Sequence, residues 1–335
     1  MDIKKIVNQR PQELSYLNSL ELIKPQETLA DWQIKKEDIQ QKWLDFIGKP
    51  PFAPFFPKVK ESNWEDRPNY KGRLVYVQTE PDYYEKTYLM VPKNIDKKKP
   101  AVLVYYYDID TMIGENRGGK HFLDTPNRFF AKHLVERGYV VIIMRWFYQG
   151  YGQGDNYLEG VTRMKNLYPS LKGLSKVAFD SSRVLDYLTS LPFVDKDNIG
   201  AMGHSLGGKM GLYSAAFDDR IKASVLSELG IGLSFCNWDA PWYLGEEIKD
   251  PKFTLDHHQL LGLIAPRPLL LIAGDSADND NSWNYIDAAK KVYALYGKED
   301  DIGMYNHRSG HDPEKKALSI AYQWLDYYLF GNRNS

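Results

Sequence analysis

The chain has 335 residues, 43% hydrophobic and 14% aromatic, enough to bury a large core. Its 43 basic and 44 acidic side chains leave a net charge of −1, which gives no electrostatic footprint for nucleic acid or an anionic membrane. No stretch approaches the roughly 20 apolar residues of a membrane span, and the single cysteine, Cys236, excludes an internal disulfide.

The sequence opens on MDIKKIVNQRPQELSY, which has no apolar run of the signal-peptide kind. The expectation is a cytoplasmic protein; a secreted one whose signal had been removed would read the same. Residues 1–72 read as an N-terminal arm packed on the rest. The arm holds a helix around Lys36–Ile47 and then GKPPFAPFFPKV, whose prolines forbid regular helix or interior strand. Residues 73–335 form the main domain, starting with two strands at 73–78 and 86–92.

From residue 100 strands and helices alternate. PAVLVYYYD (100–108) and YVVIIMRW (139–146) are apolar, β-branched and aromatic runs of strand length, and between them 126–137 carries apolar residues at helical spacing up to Gly138. A long amphipathic helix follows at 172–190, through Val177, Val184, Leu185 and Leu188. Then come a strand at IGAMGH, a helix at SLGGKMGLYSAAF and strands at 221–227 and 268–274. A helix near 284–296, a strand at 302–306 and a last helix from Pro313 complete the order. This order predicts an α/β fold with a doubly wound, mostly parallel sheet, buried on both faces. The alternation breaks at ELGIGLSFCNWDAPWYLGEEIKDPKFTLDHHQ, too long for a plain connection and rich in aromatics, so a small cap insertion is predicted at about 228–258.

Gly203-His204-Ser205-Leu206-Gly207 fits the G-x-S-x-G nucleophile elbow, with the required strand before it and helix after it. Small neighbours permit the sharp turn, and the turn lifts the serine hydroxyl over the sheet. The helix that follows points its N-terminus at the developing oxyanion, and the backbone N–H of Leu206 is the first expected donor. A second is expected from the loop after AVLVYYY, near Asp108 or Ile109.

The partners follow in the order Ser, acid, His. Asp312 and Pro313 look like the cap and first residue of the last helix, which leaves His311 on a loop able to reach the serine as general base. His307 is its rival. Gly310 between the two breaks the continuous helix that a pair of metal ligands four residues apart would need. Asp275, Asp278 and Asp280 follow the strand at 268–274, and Asp278 is chosen to orient the histidine, with Asp280, Asp275 and Glu228 as alternatives. In the cap, Phe235, Trp238, Trp242 and Tyr243 are expected either to floor a substrate pocket or to form the cap's own core. GYGQGD (150–155) lacks the Lys-Ser/Thr of a phosphate loop and is expected near the pocket. The histidines show no zinc spacing, so neither metal nor cofactor is implied.

The elbow, the acid cluster and the late histidine together resemble the α/β-hydrolase superfamily over roughly residues 73–330. The segments VDKDNIGAMGHSLGG, DDRIKASVLSE, HHQLLGLIAPRPLLLIAGD and GHDPEKKALSIAYQWLDYYL resemble the dienelactone hydrolase and acetyl xylan esterase-like groups, with some likeness to glucuronoyl esterases. Relatives of the first kind place the acid in G-x-x-D after the seventh strand, about ten residues before an Ala-Ala pair. Counting back from Ala288-Ala289 gives Asp278, although DSAD is one residue longer than that pattern. Glucuronoyl-esterase-like relatives can instead place a Glu after the sixth strand, where this chain has Glu228. The resemblance implies hydrolysis of small or acetylated carbohydrate esters through an acyl-enzyme on Ser205. A serine peptidase and an inactive binding scaffold of the same fold are the alternatives. The expected partner is a small-molecule ester, with no nucleic acid and no membrane; nothing in the sequence sets an oligomeric state.

Overall fold

The computed structural model describes residues 2–14, 20–53, 55–119, 121–151 and 156–331. The strands are β1 (Val59–Glu61), β2 (Glu65–Asp66), β3 (Tyr70–Glu80), β4 (Tyr83–Pro92), β5 (Lys99–Tyr106), β6 (Val140–Arg145), β7 (Val194–His204), β8 (Ile221–Ser227), β9 (Leu269–Ala273) and β10 (Ile302–Asn306). They form one sheet in the order β1-β3-β4-β6-β5-β7-β8-β9-β10, with β2 on β3. The β3–β4 hairpin and β4–β6 are antiparallel; from β6 through β5, β7, β8 and β9 to β10 every pairing is parallel.

The helices are α1 (Ile3–Val7), α2 (Leu29–Ile47), α3 (Ile109–Ile113), α4 (Phe130–Glu136), α5 (Tyr148–Tyr151), α6 (Tyr157–Leu167), α7 (Gly173–Ser190), α8 (Leu206–Phe217), α9 (His257–Ile264), α10 (Trp283–Leu295) and α11 (Lys315–Leu329). Two core clusters flank the sheet. One joins its face to α2, α7, α8, α9 and α10, the other to α1, α3, α4 and α11. Burial on both faces explains why β5, β6 and β9 are apolar almost throughout.

The arm is more closely integrated than its sequence suggests. The expected boundary at residue 72 falls inside β3, and β1 and β2 from the arm both pair with that strand. Helix α2 begins at Leu29, seven residues before the predicted start, because Thr28 and Asp31 form a reciprocal capping box there. It buries Trp32 and Trp43 completely, and Trp43 stacks on His257 at 5.8 Å. The last helix also starts late: Glu314 precedes it without a side-chain cap, because the Asp312 carboxylate is bonded to Arg128 instead. Of GYGQGD, Gly150 and Tyr151 end α5 and residues 152–155 lie outside the described residues.

Candidate active site

Strand β7 ends at His204 and α8 begins at Leu206, so Ser205 is the whole turn between them. Its φ of 56° and ψ of −119° put it in the strained region that an L-residue enters only when the surroundings enforce it. The enforcement is visible. Ser205 N–H donates to Ser227 O at 2.8 Å, and the two motif glycines are crowded by backbone. A Cβ on Gly203 would sit 2.1 Å from Gly207 O, and one on Gly207 would sit 2.0 Å from Tyr105 O. No larger residue fits either place while the turn keeps its shape.

His311 sits on the loop after β10, where Gly310 N–H donates to Gly274 O at 2.7 Å. Its ring centroid lies 4.7 Å from that of His204, the residue preceding Ser205, which places the imidazole beside the elbow. Its Nδ1 lies 3.1 Å from Glu228 Oε2. The carboxylate of Glu228 is buried, while the imidazole keeps about a third of its surface in solvent. Glu228 itself has a φ of 49° and also accepts N–H bonds from Gly274 and Ala277.

The acid predicted from the resemblance is therefore displaced. Asp278 spends both carboxylate oxygens elsewhere, accepting from Gly230 N–H, Ile231 N–H and the Ser282 hydroxyl, each at 2.8 Å. Burial raises its pKa, against the pull of those donors. Asp275 and Asp280 both accept from Asn306 and face Arg308, at the surface end of β10. His307 is turned under the loop, where its Nδ1 accepts from Ser309 N–H at 3.2 Å.

Leu206 occupies the first position of α8, the place of a helix N-terminal donor beside Ser205. Ile109 opens α3 behind the Asp108 cap, and its side chain belongs to the core on the α4 and α11 side. The cap aromatics divide. Trp238 is fully buried, donates its indole N–H to Gly230 O at 2.7 Å and packs on Tyr213, Tyr243 and His257. Tyr243 is buried beside it. Both are core of the cap rather than pocket floor, because 30-odd residues without regular structure need apolar filling of their own. Trp242, 5.9 Å from Tyr157, keeps part of its surface exposed.

Three residues beside the elbow carried no prediction. His204 is buried; burial and the adjacent His311 hold it well below the usual histidine range, so it is neutral, and its Nδ1 meets the Ser227 hydroxyl at 3.0 Å. Lys209, one helical turn after Ser205, is nearly inaccessible. It donates to Leu229 O at 2.8 Å, lies 3.6 Å above the Trp238 ring and adjoins Cys236. Burial pushes its ammonium down to about 8. A lysine in the otherwise apolar run LGGKMGLYSAA was the signal for it. The third is Tyr107, taken up below.

The fold has counterparts among solved structures. A glucuronoyl esterase from Solibacter usitatus superposes with a TM-score of 0.76 over 94% of this chain and 99% of that one, at 16% identity. The chain has the α/β-hydrolase fold. Residues 86–227 match the dienelactone hydrolase family, a stretch running from β4 to the end of β8 and including the elbow. The putative hydrolase YtaP of Bacillus subtilis (strain 168) is 28% identical over 72% of this chain and 83% of YtaP. The 4-O-methyl-glucuronoyl methylesterase of Hypocrea jecorina (strain QM6a) is 31% identical over 40% of this chain and 35% of its own length. The match thus spans about a third of that esterase. Among the described residues no group of three or more His, Cys, Asp or Glu could hold a metal ion, and no helix is long and apolar enough to cross a membrane.

Proposed function

We propose that the protein is a carboxylic ester hydrolase acting on carbohydrate esters, through a triad of Ser205, His311 and Glu228. The observation that carries this reading is the 3.1 Å contact of His311 Nδ1 with the buried Glu228 carboxylate, beside a serine held at φ 56°. Glu228 accepts the Nδ1 proton, which leaves Nε2 as the base. Ser205 Oγ forms a bond to the ester carbonyl carbon and its proton passes to His311 Nε2, while the carbonyl π pair moves onto oxygen. Collapse of the tetrahedral intermediate breaks the C–O bond to the alcohol, which leaves with the proton from His311. Water then repeats the sequence on the acyl-enzyme. The carbohydrate part of the reading is supported by the names of the relatives, a glucuronoyl esterase in the fold comparison and a 4-O-methyl-glucuronoyl methylesterase in sequence.

The test pairs a fluorophosphonate probe with hydrolysis of p-nitrophenyl acetate, acetylated xylose and methyl glucuronate. The native protein should take one label and hydrolyse at least one sugar ester, and Ser205→Ala should do neither. A folded native protein that resists labelling would sink the serine-hydrolase reading; turnover of the aryl ester alone would sink its carbohydrate part.

A further inference from the structure

We infer that Tyr107 is a catalytic residue whose side-chain hydroxyl, rather than a backbone N–H of the same loop, is the second donor to the oxyanion. This deepens the proposed function and rests on Ser205 being the nucleophile.

The placement begins in the sheet. Strands β5 and β7 run parallel with Tyr105 opposite Gly203, so the chain leaves β5 at Tyr107 level with the elbow. The approach is close: Gly207, at the start of α8, lies where any Cβ would strike Tyr105 O. Tyr107 comes between the end of β5 and the Asp108 cap of α3. Its phenol lies beside the Ser205 side chain. The ring is fixed on two sides, meeting Tyr106 edge-on at 5.2 Å and lying 6.2 Å from the tilted ring of His121. From the cap, Cys236 and Tyr243 come close enough to be felt electrostatically by the phenol. The half-buried phenol is therefore held beside the nucleophile.

Its protonation suits a donor. Burial raises the phenol pKa above its ordinary value, so the O–H is intact throughout the neutral range. In the resting enzyme the phenol stands beside Ser205 Oγ and its lone pairs, and the serine proton is left for His311. When Oγ bonds to the carbonyl carbon, the lone pair is consumed and negative charge appears on an oxygen attached to the same carbon. Rotation about the phenolic C–O bond redirects the O–H to that oxygen. The tyrosine keeps its proton throughout. The charge then sits between Leu206 N–H and Tyr107 O–H, two donors that exist before the reaction begins. A third tyrosine in the run YYYDID, with the first two spent on the two core faces, thereby acquires a use that alternation alone would not assign to it.

The experiment compares Tyr107→Phe, Tyr107→Met and Ser205→Ala with the native enzyme on p-nitrophenyl acetate, with thermal midpoints recorded for each. Losing one oxyanion donor costs about 10²- to 10³-fold in kcat. Both Tyr107 variants should show such a loss with KM within about twofold and the pH profile of kcat unmoved, whatever their midpoints. Fluorophosphonate labelling should be slowed but still confined to Ser205. Full kcat in either variant, a rise in KM alone, or a deficit that follows the thermal midpoint would overturn the role of Tyr107 while a dead Ser205→Ala keeps the triad. An active Ser205→Ala would instead overturn the triad itself.

Discussion

Glu228 and Asp278 each hold the other's loop. Glu228, in the loop after β8, accepts the backbone N–H groups of Gly274 and Ala277 in the loop after β9. Asp278, in that second loop, accepts those of Gly230 and Ile231 in the first. Only Glu228 goes on to His311. Two carboxylates thus share one structural task, and one of them has a further contact at the elbow.

The division predicts different losses. Glu228→Gln offers His311 an amide in place of a charge and lets the imidazole settle in the wrong tautomer, which should lower kcat by about 10³- to 10⁴-fold at pH 7. Asp278→Asn leaves one of two buried backbone donors without an acceptor, which should cost about 1–3 kcal/mol of stability. Its kcat below the unfolding transition should stay within about tenfold of native. Steady-state kinetics and urea denaturation of the two variants separate the roles. A dead but stable Asp278→Asn would reverse the assignment.

The elbow glycines should tolerate nothing. A Cβ at Gly207 would meet the Tyr105 carbonyl oxygen at 2.0 Å, and neither β5 nor α8 can retreat without disturbing the sheet core. Gly207→Ala should therefore destabilise by about 2 kcal/mol or more and lose most activity, because the shift moves Ser205 and Leu206 together. Denaturant midpoints together with phosphonate labelling rates give both readouts. Native stability in the alanine variant would contradict the crowding.

Much of this was written in the sequence. Short apolar runs located the parallel strands, period-3.6 patterns located their helices, and G-x-S-x-G between an apolar run and a helix located Ser205. His311 was reachable from Gly310 and the start of the last helix, although Asp312 turned out to pair with Arg128 rather than to cap. The acid was not legible, because Asp278 has the expected spacing and Glu228 the contact. What distinguishes them is which carboxylate points at the histidine, a matter of loop shape at Glu228, whose φ is 49°. The cap stayed undecided for a related reason: Trp238 and Tyr243 look alike whether they face a pocket or a core. Tyr107 and Lys209 are set by the third dimension, where β5 brings the tyrosine level with the elbow and α8 seats the lysine over Trp238.

Lys209 predicts a pH-dependent stability. Its folded pKa of about 8 lies below the model-peptide value of 10.5. Below pH 8 the ammonium is charged in both states and its burial opposes folding. Between about 8 and 10.5 the unfolded chain binds more protons than the native one, so this group's contribution to stability rises with pH. Lys209→Met removes the dependence. Its stability relative to native should therefore fall by on the order of 2 kcal/mol between pH 7 and pH 9.5, from about 1.5 pH units of differential titration. Urea denaturation of both proteins at the two pH values measures it, and a pH-independent difference would show that the lysine is not desolvated.

Away from the site, Lys176 neutralises two carboxylates in the core. Its ammonium lies 2.6 Å from both oxygens of Asp180 and 2.9 Å from Glu80, and all three side chains are buried. Glu80 also accepts the hydroxyls of Tyr151 and Tyr168, which ties α5 and the end of α6 to the end of β3. Lys176→Met leaves Asp180 and Glu80 facing each other without a counter-charge, and should cost roughly 3–5 kcal/mol. Adding Asp180→Leu removes one of the stranded charges, so the double variant should be more stable than the single one. Esterase kcat at 25 °C should be unchanged in whichever variants remain folded, since none of these atoms lies at the elbow. A double variant less stable than Lys176→Met would mean that Asp180 does more than balance the lysine.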